Sequence, residues 1–145
     1  MADTQFQLTQ NFDYNFLRNK LEHHSWTVVD TTAATAANYG TFFIVPAAGV
    51  LEEAWETHKT AGTNGGAVTL QIEKLTSGQA LDAGTEILAT AFNLKSTANV
   101  PVRQIPTATI GARQLARGDR LALKDAGTLT DVAHVTVTVA IRYKL

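Results

Sequence analysis

Glu52, Glu53, Glu56 and His58 fall within seven consecutive residues. Two carboxylates and an imidazole can hold a divalent ion or work as an acid–base pair if the fold makes them converge. On an extended strand, residues of one parity share a face, so Glu52, Glu56 and His58 would stand together. The plainer reading is a strand with its charged face in water, because glutamate is seldom buried without a partner. The sequence favours that plainer reading. His23 and His24 are adjacent, so a strand would turn them to opposite faces, as a surface pair and not a ligand pair. His134 falls on the polar face of the last alternating segment, where a neutral surface histidine is expected. A metal-dependent enzyme on a barrel would need histidines turned inward from neighbouring strands, and His58 and His134 each have polar neighbours on their faces.

Other reactive patterns are missing. The chain has no cysteine, which excludes a disulfide scaffold, a thiolate zinc site and a cysteine nucleophile. Its three serines, Ser25, Ser77 and Ser96, lie in no Gly-x-Ser-x-Gly elbow. The stretch Gly62-Thr-Asn-Gly-Gly66 has the glycines of a phosphate loop but no Lys-Ser/Thr after them. Asp119, between Gly118 and Arg120, reads as a turn residue whose carboxylate binds nearby backbone N–H groups. Catalysis and cofactors are therefore not expected. Four of the six arginines, Arg103, Arg113, Arg117 and Arg120, cluster in one stretch. Such a local excess suits an acidic partner surface or phosphates, or simply solubilises the chain.

The elements that must carry these residues are mainly strands. The chain has 145 residues, enough for one domain, and 45% of them are apolar, enough for a core. Twenty-one threonines, stiff at the first torsion, favour a pleated sheet, and ten glycines supply turns. Twelve basic against thirteen acidic side chains leave a net charge of −1, unlike a dedicated nucleic-acid binder. The longest uncharged apolar-leaning run, Thr31 to Leu51, is too broken by Gly40, Pro46 and Gly49 for a membrane helix. The N-terminus lacks a signal-peptide pattern. A compact domain, intracellular or particle-associated, is expected.

Trp26–Asp30, Thr41–Val45, Val50–Thr60, Ala67–Glu73, Thr85–Leu94, Val102–Ile110 and Leu121–Lys124 read as strands. Thr31–Gly40 reads as a loop, and Pro106 restricts its segment to a sheet edge or a break. Val50–Thr60 and Ala67–Glu73 flank a Gly/Asn turn cluster and read as a β-hairpin, with Leu51, Trp55 and Thr57 on one face. The last segment is the clearest. Ala133, Val135, Val137, Val139, Ile141 and Tyr143 alternate with His134, Thr136, Thr138, Ala140, Arg142 and Lys144, a long half-buried strand. About eight strands with no intervening helices predict an all-β fold, an antiparallel β-sandwich of jelly-roll-like form, over residues 25–145.

Residues 1–24 differ. Phe6, Leu8, Phe12, Tyr14, Phe16 and Leu17 alternate with amides, which fits a first strand or an extended docking arm. Phe16, Leu17, Lys20, Leu21 and His24 also suit a short helix capped by Asp13. The segment is read as an N-terminal arm. Each large apolar side chain left exposed forgoes about 1.5–3 kcal/mol of burial, so an arm that orders on a partner is physically reasonable.

From Gly40 to Tyr143 a further pattern runs through Thr60-Ala-Gly-Thr-Asn-Gly-Gly-Ala-Val-Thr-Leu-Gln-Ile-Glu-Lys-Leu, Gly78-Gln-Ala-Leu-Asp-Ala-Gly-Thr and Phe92-Asn-Leu-Lys-Ser-Thr-Ala-Asn. It continues through Gly118-Asp-Arg-Leu-Ala-Leu and Gly127-Thr-Leu-Thr-Asp-Val-Ala-His-Val-Thr-Val-Thr-Val. This succession resembles capsid decoration (cement) proteins of tailed bacteriophages and the related β-sandwich heads of phage fibres. It is a likeness of turns and strands, not of a catalytic fingerprint. It implies a structural, non-enzymatic virion protein, made in the host cytoplasm, that sits on the capsid exterior as a homotrimer and clamps the major capsid protein. No nucleic acid, membrane or cofactor is implied. The contact residues expected on this reading are Phe6, Phe12, Tyr14 and Phe16 of the arm, with Arg113 and Arg117. The alternative is a fibre or baseplate module binding a host surface glycan, with Trp26, Trp55 or Tyr39 as stacking platforms.

Overall fold

The computed structural model describes residues 21–28, 40–129 and 131–143, the first of these as backbone only. The strands are β1 (Leu21–Val28), β2 (Thr41–Ile44), β3 (Gly49–Thr57), β4 (Thr69–Leu75), β5 (Thr85–Glu86), β6 (Phe92–Asn93), β7 (Val102–Gln104), β8 (Gln114–Leu115), β9 (Arg120–Ala126) and β10 (Val135–Tyr143). A single helical turn, α1 (Ile110–Arg113), precedes β8. One five-stranded sheet runs β1-β10-β3, with β7 and β8 both paired to the far side of β3. The other runs β2-β9-β4, with β5 and β6 both paired to β4. Every strand pair is antiparallel. The all-β sandwich predicted from the alternation is the observed fold.

The core lies between the sheets. Val135, Val137, Val139, Ile141 and Tyr143 of β10 and Leu51 of β3 meet Leu70 and Ile72 of β4, Leu121 and Leu123 of β9, and Phe92 of β6. The alternation of β10 places those five side chains inward as read from the sequence. A one-residue slip would expose all of them, so the hydrophobic pattern itself selects the register.

Four expectations change. β1 starts at Leu21 and pairs with β10 as far as Val28, so Leu21–His24, assigned to the arm, belong to the sheet. Residues 1–20 and most of the expected 31–40 loop lie outside the described residues. The expected strand Thr85–Leu94 is two short strands with a bridge from Leu88 to Pro106 between them. There the Gln71 amide replaces a ladder partner, accepting from Leu88 N–H at 3.1 Å and donating to Leu88 C=O at 3.3 Å. Pro106 does sit at a break in the ladder.

The predicted β3–β4 hairpin is not formed, because the two strands belong to different sheets. Residues 58–68 cross the end of the sandwich instead. Lys59 N–H bonds Ala133 C=O on one side and Gly62 N–H bonds Leu94 C=O on the other. Gly62 is pressed between Val68 and Val132, within about 3.3 Å of both at its Cβ position. Lys95 Nζ closes the turn on the carbonyls of Asn64 and Gly66. A connection this long has no need to return the chain to the same sheet.

The fourth change is parity within β3. Ile141 lies opposite Leu51, yet Ala140 lies opposite Glu53, so β3 carries one extra residue at Glu52. This β-bulge reverses the faces of everything after it. Ala54 and Glu56 turn inward, and Trp55 turns outward. Trp55, expected on the face of Leu51, therefore stands on the opposite one.

Candidate functional site

The bulge decides the fate of the acidic cluster. Glu56 and His58 are buried, each 1% exposed, not on a solvated face. Glu56 lies across from Val137 of β10 and Val102 of β7. His58 Nδ1 is 2.9 Å from Glu56 Oε1, and His58 Nε2 is 3.1 Å from the carbonyl oxygen of Ser96. The carbonyl of His58 in turn accepts Asn99 N–H at 2.7 Å. The pair therefore ties the end of β3 to the 94–100 turn. Burial pushes the Glu56 carboxyl above its ordinary range, and the hydrogen bond and charge of His58 pull it partly back. Glu56 Oε2 has no hydrogen-bond partner.

The other two glutamates go elsewhere. Glu52 pairs with Arg142 at 2.8 Å and Glu53 with Arg103 at 2.5 Å, both at the surface. Among the described residues no three His, Cys, Asp or Glu side chains converge as metal ligands would. His134 is exposed just before β10, with a positive φ of 53°. Asp119 behaves as the sequence predicts: its Oδ2 accepts Ala116 N–H at 2.8 Å, closing the turn into β9.

The sequence carries no clean parity signal for this bulge, because Val50 and Leu51 before the two glutamates, and Ala54 and Trp55 after them, are apolar at both parities.

Two surface depressions flank this region. Trp55, 37% exposed, lines a groove of about 310 Å³ with Thr57, Pro101, Thr136 and Thr138. A second, of about 440 Å³, opens beside the start of β3 and is lined by Ala48, Gly49, Gly111, Leu115 and Asp119 among others. Its wall is held by Lys74 Nζ, which donates to Gly111 C=O at 2.8 Å and Gln114 C=O at 2.9 Å. Arg113 and Arg117 flank this second groove in sequence. Arg113 ends α1, half-buried, with its Nε unpartnered, and Arg117 is exposed in the turn before β9. Arg120 is occupied by the carbonyls of Thr76 and Gln79. Arg103, committed to Glu53, stands apart on β7. Phe6, Phe12, Tyr14 and Phe16 lie outside the described residues.

No protein-family model and no curated protein matches the chain. Solved phage capsids contain this fold. The chain superposes on a chain from the capsid of Ralstonia phage GP4 with a TM-score of 0.61 at 11% identity, over 87% of this chain and 85% of that one. It superposes on a chain from the cyanophage Pam1 capsid asymmetric unit with a TM-score of 0.53 at 15% identity, over 86% and 84%. The likeness is one of fold. In both capsids the match spans most of the neighbouring chain as well as most of this one.

Proposed function

We propose that this chain is a structural virion protein that binds the outside of a phage capsid and stabilises it. The observation that carries the proposal is the fold match to a chain of the GP4 capsid over 87% of this chain and 85% of that one. On this reading the chain is a decoration (cement) protein that binds the major capsid protein as a homotrimer. A trimer gripping several capsid subunits sums weak contacts through high effective concentration. On this reading Arg113 and Arg117 contact the capsid or a neighbouring protomer, and Phe6, Phe12, Tyr14 and Phe16 bury themselves there.

The test is co-sedimentation with expanded heads lacking this protein, together with the solution mass. A mass near three chains with saturable binding to heads supports the proposal. A monomer that ignores heads overturns it. Truncation should stop at Lys20, because β1 begins at Leu21. The truncated chain is expected to fold and to bind heads at least tenfold more weakly, and unchanged binding removes the arm from the interface.

Trp55 supports a second reading, a fibre or baseplate module that stacks a glycan in the groove beside it. A glycan panel whose hits are lost in Trp55→Ala would favour that reading over the first.

A further inference from the structure

The contacts of His58 fix the number of protons in this corner of the sandwich. A carbonyl oxygen can only accept, so Nε2, facing Ser96 C=O at 3.1 Å, carries a hydrogen. The contact between Nδ1 and Glu56 Oε1 at 2.9 Å then needs a hydrogen of its own. It sits either on Nδ1, giving an imidazolium–carboxylate pair, or on Oε1, giving a carboxylic acid and a neutral ring. Either way the pair holds one proton more than an ionised glutamate beside a neutral histidine. The proton belongs to the pair and not to one residue.

We propose that Glu56 and His58 together bind one proton that latches the end of β3 to the 94–100 turn, and that its loss in alkali opens this corner. Without it, either Nδ1 and Oε1 or Nε2 and Ser96 C=O face each other as two acceptors in a buried site, which is strongly unfavourable. The raised pKa of Glu56 agrees with the protonated form.

The neighbouring charges are engaged or exposed. On β7, Arg103 is paired with Glu53. On the 94–100 turn, Lys95 is bonded to Asn64 and Gly66. On β3 and beyond, Glu52 is paired with Arg142 of β10, and Lys59 is exposed. Beside β10, His134 is exposed, and Asp131 accepts from Thr63. On β1, Glu22, His23 and His24 align with Ile141, Ala140 and Val139, away from Val137 opposite Glu56.

The sign follows from counting protons. Above about pH 6.5 an unfolded chain leaves both groups unprotonated, while the folded chain keeps one. Unfolding releases a proton there, so stability falls as pH rises. Below about pH 4.5 the unfolded chain holds two protons against one, so stability rises with pH.

The experiment is denaturant unfolding of the full chain from pH 5 to 9, for the wild type and Glu56→Gln. The glutamine amide can donate to Nδ1 and keep the contact without a titrating proton. Above pH 6.5 the wild-type unfolding constant is expected to climb about tenfold per pH unit more steeply than that of the variant. Parallel curves would overturn the proposal. Proton release by the wild type on unfolding in weakly buffered denaturant at pH 7.5 decides the matter even if the variant does not fold. About one proton released is expected, and none released would overturn the proposal.

Discussion

Glu73 offers the sharpest test of how this sandwich holds its outer loop. Its side chain is fully buried on the β4 face turned away from the core. There Oε1 accepts Asp82 N–H at 2.8 Å and Oε2 accepts Gly84 N–H at 2.9 Å. The loop it pins is pressed so close that a Cβ on Gly84 would lie 2.7 Å from Lys74 C=O and 2.9 Å from a methyl of Leu75. Glu73→Ala removes both bonds. Hydrogen bonds to a charged group contribute about 1.5–3 kcal/mol each, so the gross loss is about 3–6 kcal/mol. Removing a buried charge and admitting water to the two freed N–H groups offset part of it, leaving a net loss of about 2–4 kcal/mol. At roughly 3 °C per kcal/mol for a chain of this size, Tm should fall by about 6–12 °C. Glu73→Gln should fall between, because its amide accepts one N–H and turns a donor toward the other. The exposed Lys124–Glu86 pair is the control, and Glu86→Gln should change stability by less than about 1 kcal/mol. Thermal unfolding supplies the magnitude, and hydrogen exchange at Asp82 and Gly84 supplies the location. If Glu73→Ala stays within about 1 kcal/mol of wild type and leaves those two amides protected, the reasoning is wrong.

Gly127 and Gly118 share a φ of 89°, but only at Gly127 would a Cβ collide, with the carbonyl of Ala67. Gly118→Ala should therefore cost about 1–2 kcal/mol for left-handed backbone alone, while Gly127→Ala should not yield a folded chain; equal effects in denaturant unfolding would refute the distinction. Asp125 shares the inward parity of Leu121 and Leu123, and burial raises its carboxyl above the ordinary 3.8. Its ionisation therefore weakens the fold as pH rises above that value, and Asp125→Asn should raise Tm at pH 7 but not at pH 3; a gain of equal size at both would show that charge is not the cause. Deleting Glu52 removes the extra residue while keeping Ile141 opposite Leu51 and Ala140 opposite Glu53. That variant should fold, losing about 0–1 kcal/mol with the Arg142 pair, and Trp55 should keep its solvent-exposed fluorescence; an unfolded chain or a buried tryptophan would contradict the bulge assignment.

The sequence by itself determined the fold class, the faces of β10 and the inward set Val68, Leu70 and Ile72, because period-two burial is written residue by residue into an alternating strand. It also determined the role of Asp119, since a turn carboxylate finds its N–H partner three residues away. Tertiary structure alone decided which sheet each strand joins. Local alternation says which side of a strand is apolar but not which neighbour it meets, so β3 and β4 look like a hairpin and are not one. It decided the candidate site too. One extra residue at Glu52, read against the register of β10, turns Glu56 and His58 inward and brings Ser96 to meet them from a distant turn. Such contacts depend on pairings far apart in the chain, and no local pattern of residue types contains them.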